Sequence, residues 1–236
     1  MKNLAIIPAR GGSKRIPKKN VKLFLGKPII AYSIEVAIES GLFDEVIVST
    51  DDQEISRISQ KYGAKVPFMR SEENSNDFAI LNDVLTEVVE EYSKREIVFD
   101  NVCIILATAP LITVRSLKES YDLMHNKGFD SVRPVVKFSY PIQRAFKMDA
   151  TGKVEMMHPQ NYSMRSQDLE PAYHDSGQFY WINQGKDLLD PNKGAFVISE
   201  MLVQDIDDAD DWALAELKYR HLNRKNDNEL LHSGGC

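Results

Sequence analysis

Apolar runs alternate with segments of helical periodicity through the first half of the chain. The predicted strands are residues 3–9, 45–50, 101–108 and 131–138. The predicted helices are residues 28–40, 51–62, about 76–92 and 113–127. Repeated strand–helix–strand units form right-handed crossovers, so the pattern predicts an α/β fold. We expect a Rossmann-like, doubly wound, mostly parallel sheet with helices on both faces.

The pattern changes after about Tyr140, where turn residues become frequent and no long helical period continues. The stretch Asp149–Lys153 has turn chemistry between two strand-like runs. We therefore expect one domain over residues 1–236, with a small hairpin-rich lobe inserted at about 139–190. A final helix is predicted over residues 207–225, beginning within the acidic run, and the polar tail, 226–236, is expected to be disordered.

Charge and composition restrict the classes of partner. The net charge is −6, which disfavours nucleic acid and anionic membranes as partners. The two cysteines, Cys103 and Cys236, give no disulfide framework and no zinc cluster. Apolar runs are too short for a membrane span or a signal peptide, so we expect a cytoplasmic protein.

A glycine pair and a cluster of cations follow the first predicted strand directly. This segment, called the basic loop here, covers residues 10–20 and contains Gly11, Gly12, Ser13, Arg10, Lys14, Arg15, Lys18 and Lys19. Glycine amides and cationic side chains suit the oxygens of a phosphate group. Neither the P-loop nor the G-x-G-x-x-G pattern is present, which disfavours P-loop ATPases and Rossmann oxidoreductases. The alternative interpretation is a solvated basic loop.

Two aspartates near the final helix form a second candidate site. Asp205 and Asp207 are two residues apart, so on an extended segment they project to the same side at roughly 6.6 Å spacing. Two carboxylates at that spacing suit a hard divalent cation. The alternative is an acidic helix start, a role that fits Asp208, Asp210 and Asp211.

An aromatic segment, residues 174–183, forms the third candidate site. Gln178 stands among aromatic side chains, an arrangement that suits contact with a sugar. Arg165 precedes it and can clamp a carboxylate. The alternative is that Phe179, Tyr180 and Trp181 are hydrophobic packing in the lobe or in a subunit interface.

Four segments together resemble one known family. In chain order they read IIPARGGSKRIPKKNV, FDEVIVSTDD, ATAPL and DIDDADD. Over about Ile6 to Leu217 the chain resembles the CMP-sialic acid synthetase, or N-acylneuraminate cytidylyltransferase, family. The stretch RSQDLEPAYHDSGQFYW is most similar to the pseudaminic acid cytidylyltransferase branch.

The resemblance implies a reaction in which CTP and a free nine-carbon 2-keto-sugar acid give a CMP-sugar and pyrophosphate. It also implies Mg²⁺ as cofactor, held by Asp205 and Asp207, and a homodimer formed through the inserted lobe. The implied nucleotide-binding residues, of which the two glycines would contribute their backbone amides, are Arg10, Gly11, Gly12, Ser13, Lys19, Asn20, Arg70 and Ala79. The implied catalytic residues are Arg10, Lys19 and Asp207, and the implied sugar-binding residues are Thr108, Arg165 and Gln178.

Two departures from the family pattern bear on the substrate. Sialic-acid members commonly have Gln-Pro-Thr-Ser-Pro where this chain has residues 106–110, Leu-Ala-Thr-Ala-Pro, which argues against N-acetylneuraminic acid. Ile80 and Leu81 replace serines near the ribose, so Asn82 or Asp83 is expected to take that role. The alternatives are another sugar acid (N-acetylneuraminic, legionaminic or an octulosonic acid) or a non-catalytic nucleotide-binding regulator.

Overall fold

The computed structural model describes residues 1–233, with side chains as far as Arg224. Over these residues the α-helices are α1 Ile29–Ser40, α2 Gln53–Lys61, α3 Leu81–Ser93, α4 Val114–Lys127 and α5 Ala209–Ser233. The strands are β1 Asn3–Pro8, β2 Leu23–Phe24, β3 Lys27–Pro28, β4 Glu45–Ser49, β5 Asn101–Ile105, β6 Ser131–Lys137, β7 Phe146–Met148, β8 Val154–Met156, β9 Tyr173–Asp175, β10 Phe179–Asn183 and β11 Lys193–Val197. None of the helices in residues 1–233 combines the length and the apolarity that crossing a membrane would require.

Seven strands of the described chain form one mixed sheet in the order β11-β6-β10-β5-β1-β4, with β9 also paired to β6. Strands β11, β6, β5, β1 and β4 run in the same direction, whereas β9 and β10 run against it. The predicted α/β class with a doubly wound, mostly parallel sheet is confirmed.

Alternation along β1 explains why helices cover both faces. Ala5 and Ile7 join a core with α1, α2 and α4 on one face of the sheet. Leu4 and Ile6 join a second core with α3 on the other face. Successive strand residues point to opposite faces, so a strand apolar at every position needs cover on both sides.

Most helix boundaries follow from local capping. The Asp52 side chain accepts hydrogen bonds from the amides of Glu54 and Ile55 at the start of α2. Thr113 caps α4 in the same way, through the amide of Ser116. At the end of α4, Gly128 has φ 67°, a left-handed conformation that glycine adopts readily.

The third helix begins later than predicted. It starts at Leu81 and not at Asn76, because the Asn76 side-chain oxygen accepts from the amides of Phe78 and Ala79 and holds a turn there. Phe78, an apolar residue within the predicted helix, is 92% exposed as a result. The segment before α3 therefore stays a loop beside the end of β4.

The aromatic segment belongs to the large sheet and not to the inserted lobe. Strand β10 lies between β5 and β6, with Phe179 and Trp181 fully buried in the core. The predicted insertion at 139–190 is therefore too long: the part outside the large sheet is residues 139–172, called the outer segment here. Phe179, Tyr180 and Trp181 are thus hydrophobic packing, as the alternative interpretation held, but they pack in the central sheet and not in the lobe.

The end of the chain carries α5, which packs against the loop after β1. Ile206, Trp212 and Ala215 share a small core with Phe24 and Tyr32. This docking holds the segment before α5 against the basic loop. The predicted disordered tail, 226–236, overlaps the last turns of α5, and its residues 234–236 lie outside the described part of the chain.

Candidate active site

A cavity of about 870 Å³ opens at the carboxyl end of β1. Six of the predicted nucleotide-binding residues line it: Arg10, Ser13, Lys19, Asn20, Arg70 and Ala79. Ligands of open α/β sheets collect at this end of the strands. The structure therefore brings together residues that are up to 69 positions apart in the sequence, and the cavity they form is mainly cationic on its loop side.

The acidic end of β4 holds the basic loop in place. The Gly11 amide donates to Asp51 Oδ1 at 2.9 Å, and Asn20 Nδ2 donates to the Arg10 carbonyl at 2.9 Å. A Cβ at Gly11 would come within 2.8 Å of Asp52 Oδ2, whereas one at Gly12 would meet no atom within 4 Å. A side chain at position 11 would thus crowd Asp52, whereas Gly12 is exposed, and neither glycine lines the large cavity.

Asp77 is an acidic partner of the basic loop that the sequence pattern did not identify. It accepts from Arg10 Nη1 at 3.0 Å and from the Lys14 ammonium, and the hydrogen bond from Lys14 holds the pKa of Asp77 below its usual value. Arg10 also donates to the Asn76 carbonyl at 2.9 Å. A polyanionic ligand at this loop would compete with Asp77 for both cations. A lone aspartate in a polar loop carries no sequence signal.

Lys19 and Asp207 connect the basic loop to the acidic segment before α5. Lys19 Nζ donates to the Ile206 carbonyl at 2.6 Å and lies 3.8 Å from Asp207 Oδ1. Arg15 Nη1 lies 2.5 Å from Asp207 Oδ2. Burial lowers the pKa of Lys19, although the nearby aspartates oppose this effect. The two motifs that the sequence separates by about 190 residues therefore meet at one place in the fold.

Asp205 faces a second cavity of about 480 Å³. Its other polar lining side chains are His174, Asp175, Ser176, Tyr180, Glu200, Gln204 and Lys218. The residues after Asp207 serve the helix, as the capping interpretation predicted: Asp208 Oδ1 accepts from the amides of Asp210 and Asp211. Asp205 thus lines the second cavity, whereas Asp207 lies beside the large cavity through its contacts with Arg15 and Lys19, which line it.

The carboxylates of Asp205 and Asp207 suit a hard cation whose remaining ligands come from the substrate and from water. No group of three or more His, Cys, Asp or Glu side chains among the described residues is arranged to hold a metal. Two carboxylates fit Mg²⁺, which commonly uses one or two protein carboxylates together with substrate phosphates and water. Cytidylyltransferases that use CTP generally need a divalent metal ion.

Arg70 forms part of the wall of the large cavity from a buried position. Its Nε donates to Ser49 Oγ at 3.0 Å, and its Nη2 donates to the Ser49 carbonyl. Burial lowers the pKa of Arg70 to about 10. With both contacts on β4, the guanidinium is fixed to the sheet and presents a positive charge at a constant position.

The three predicted sugar-binding residues do not meet in this chain. Gln178 is buried, and its amide donates to the Leu202 carbonyl at 2.5 Å, so it ties β10 to the segment before α5. Arg165 lies in the outer segment, pairs with Asp168 at 2.8 Å and lines neither cavity. Thr108 is half-buried and likewise lines neither cavity.

Arg133 is a further cavity residue that the sequence reasoning missed. It projects from β6 into the large cavity, and its Nη1 donates to Asp175 Oδ2 at 3.2 Å. Its guanidinium carbon lies 5.2 Å from the centre of the Tyr180 ring. The available signal was an arginine inside SVRPVVK, because a charged residue is unusual in a strand buried on both faces.

Comparison with known proteins agrees with this geometry. The family model described as cytidylyltransferase matches residues 4–204. The chain is 44% identical to a pseudaminic acid cytidylyltransferase of Campylobacter jejuni, over 93% of this chain and 97% of the relative. It is 32% identical to a CMP-N,N'-diacetyllegionaminic acid synthase of Legionella pneumophila, over 95% of this chain and 99% of the relative.

Solved structures agree at the level of the fold. A CMP:2-keto-3-deoxy-manno-octonic acid synthetase complexed with CTP superimposes with a TM-score of 0.67 at 19% identity, over 95% of this chain and 100% of that one. The resemblance read from the four sequence segments is thus confirmed. The chain belongs to the cytidylyltransferase family, a family of nucleotidyltransferases.

Proposed function

We propose that this protein transfers the cytidylyl group of CTP to pseudaminic acid, a nine-carbon 2-keto-sugar acid, and releases pyrophosphate. The observation that carries the proposal is the meeting of the basic loop with Asp207 beside one cavity. The pseudaminic acid cytidylyltransferase that is 44% identical over almost the whole chain supports the choice of sugar.

The reaction is an in-line displacement at phosphorus. The anomeric hydroxyl of the sugar acid attacks the α-phosphorus of CTP, an oxygen–phosphorus bond forms, the hydroxyl proton is released to water, and the bond to the pyrophosphate oxygen breaks. Positioning and charge neutralisation supply most of the catalysis in such transfers. Arg10, Lys14 and Lys19 are the cations placed to bind the triphosphate and to stabilise negative charge on the leaving pyrophosphate.

Asp205 and Asp207 would hold Mg²⁺ in this proposal. When bound, the ion would neutralise phosphate charge and help to orient the triphosphate. Asp207 already pairs with Arg15 and lies near Lys19, so its carboxylate is positioned beside the cations that bind phosphate. Ile80, Leu81 and Asn82 line the large cavity, and of these three Asn82 has the polar side chain that would contact the ribose, where serines stand in sialic-acid members.

We propose that the protein acts as a homodimer formed through the outer segment. Eight large apolar side chains in this segment are exposed: Tyr140, Ile142, Phe146, Met148, Val154, Met157, Tyr162 and Met164. A cluster of this kind is typical of an interaction surface. Arg165 lies in the same segment, so in the proposed dimer it would approach the second cavity, which Asp205 faces, of the other subunit. Because the reaction consumes CTP, we place it in the cytoplasm.

The proposal is tested by a pyrophosphate-release assay with purified protein, Mg²⁺, each of the four ribonucleoside triphosphates and a panel of sugar acids. We expect release with CTP and pseudaminic acid, and a lower kcat/KM with legionaminic, N-acetylneuraminic and octulosonic acids. A preference for legionaminic acid would favour the activity named for the Legionella relative. Tight CTP binding with no pyrophosphate from any acid would instead favour a nucleotide-binding regulator.

A further inference from the structure

The two cavities of the site meet at Arg133. Its side chain lines the large cavity, while its contacts Asp175 and Tyr180 line the second cavity. Arg133 therefore stands at the boundary between the space for the nucleotide and the space that Asp205 faces. A group bound here would lie where the acceptor has to approach the α-phosphate.

The surroundings of Arg133 fix its guanidinium without using all of its donors. Asp175 accepts from Arg133 Nη1, from the Tyr180 hydroxyl at 3.1 Å and from the Gly177 amide at 2.8 Å. Among the described residues, Asp175 is the one acceptor recorded for the Arg133 side chain. A guanidinium has five N–H donors, so several remain for a ligand.

The second cavity needs a cation if it is to receive an acid. Its acidic lining groups are Asp175, Asp205 and Glu200, which would repel a carboxylate. Lys218 cannot serve, because its ammonium already donates to the carbonyls of Glu200 and Val203 and to Gln204 Oε1, which occupies its three hydrogens. Among the lysine and arginine side chains that line the large cavity, Arg133 is the one that contacts Asp175 and Tyr180 of the second cavity.

We propose that Arg133 binds the carboxylate of the acceptor sugar acid and sets the selectivity of the enzyme for acids over neutral sugars. The inference rests on the proposed function and deepens it. The planar guanidinium matches a carboxylate with two parallel hydrogen bonds. The Asp175 contact uses Nη1 of the guanidinium, so the remaining donors are left for the ligand. The triphosphate has its own cations in the basic loop and does not require Arg133.

The test compares Arg133→Met with wild type and with Arg115→Met. Arg115 is a matched control, since its side chain is 83% exposed on α4 and pairs with Glu119 away from both cavities. KM is measured for CTP, for the sugar acid and for its methyl ester, and CTP binding is measured separately by calorimetry. Removing hydrogen bonds to a charged group is expected to raise the KM for the acid by about 10- to 100-fold.

The expected pattern is specific. In R133M the KM for CTP stays within about twofold of wild type, the preference for acid over ester is lost, and R115M behaves like wild type. Unchanged preference for the acid in R133M, or a rise in the KM for CTP alone, would overturn the inference while leaving the proposed function intact. Absence of pyrophosphate release by wild type with every acid would overturn the proposed function, and the role of Arg133 with it.

Arg133→Lys decides the question if thermal unfolding shows that R133M does not fold. Lysine keeps the positive charge and an aliphatic side chain of similar length but cannot form the two parallel hydrogen bonds. With CTP binding intact, R133K is expected to show an increase of about threefold or more in the KM for the acid. An unchanged KM in R133K would contradict recognition by the guanidinium fork.

Discussion

At the scale of single residues, the site is built from opposite charges that already neutralise one another. Asp77 pairs with Arg10 and Lys14, and Asp207 pairs with Arg15 near Lys19. Lys14 and Arg15 are largely exposed, so their ion pairs add little to folding stability. Their consequence is functional, because a triphosphate with a divalent ion can replace both acids as the partner of the same cations.

Asp207→Asn tests the acidic side of this arrangement. Losing the carboxylate is expected to lower kcat by about 100- to 1000-fold, the size seen when a preorganised electrostatic contact is removed. The fold should be retained, as measured by thermal unfolding. Asp210→Asn is the control, since Asp210 lies in the first turn of α5 and is exposed. Wild-type turnover of D207N at saturating Mg²⁺ would exclude the metal role.

Lys19→Arg tests the cationic side through the pH dependence of the reaction. Burial lowers the pKa of Lys19, so its ammonium is lost at a lower pH than that of an exposed lysine. Affinity for the triphosphate should therefore fall as the pH rises through that lowered pKa. Arginine stays charged over the whole range. We expect the fall of kcat/KM for CTP at alkaline pH to begin at a higher pH in K19R than in wild type. The same pH dependence in both proteins would show that Lys19 does not cause this fall.

At the scale of elements, the basic loop and α2 share one support. Asp52 caps α2 with Oδ1, and its Oδ2 lies against Gly11, while Asp51 accepts from the Gly11 amide. The turn that we propose binds the triphosphate and the start of α2 thus depend on adjacent aspartates after β4. This coupling explains why the loop has a defined shape although it lacks regular secondary structure.

Gly11→Ala should disturb this shared support. The new methyl would come within 2.8 Å of Asp52 Oδ2 and turn the carboxylate that caps α2. Loss of a helix cap costs about 0.5–2 kcal/mol, so the free energy of unfolding should fall by that amount. Gly12→Ala is the structural control, because its methyl would meet no atom within 4 Å. Chemical denaturation measures the free energy of unfolding of both variants. Equal values for the two would contradict the proposed packing of Gly11 against Asp52.

At the scale of the whole molecule, the compact sheet contrasts with the outer segment. The sheet buries apolar residues on both faces, whereas the hairpin β7–β8 and its neighbours leave theirs exposed. An isolated two-stranded hairpin is marginally stable in water. Packing against a second copy would supply the missing apolar contacts, which is the physical basis of the proposed dimer.

Phe146→Asp combined with Tyr162→Asp should produce a monomer. Both side chains are exposed in the outer segment, at 62% and 74%, and charges there would be costly to bury in an interface. Leu217→Asp is the control, a 65% exposed apolar residue on α5. Sedimentation equilibrium distinguishes the outcomes: wild type and L217D as dimers, the double variant as a monomer. A monomeric wild type would reject the proposed assembly.

Sequence reasoning succeeded where the signal is local and failed where it depends on distant neighbours. The apolar run of β1 and the approximate starts of α2 and α4 could be predicted directly, because each depends on nearby residues, whereas only the structure shows that Asp52 is the side chain that caps α2. The position of β10 could not, because a strand from a turn-rich region is drawn into the sheet by pairing with β5 and β6. The predicted start of α3 was wrong because a side-chain turn at Asn76 competes with the helix.

The sequence by itself determined the α/β class, the family and the composition of the basic loop, because periodicity, capping and short motifs are local properties of the chain. Only the tertiary structure decided that Asp207 meets Lys19 and that Arg133 joins two cavities. The first depends on the docking of α5 against the loop after β1. The second depends on the antiparallel insertion of β10 beside β6, a long-range pairing that no local pattern specifies.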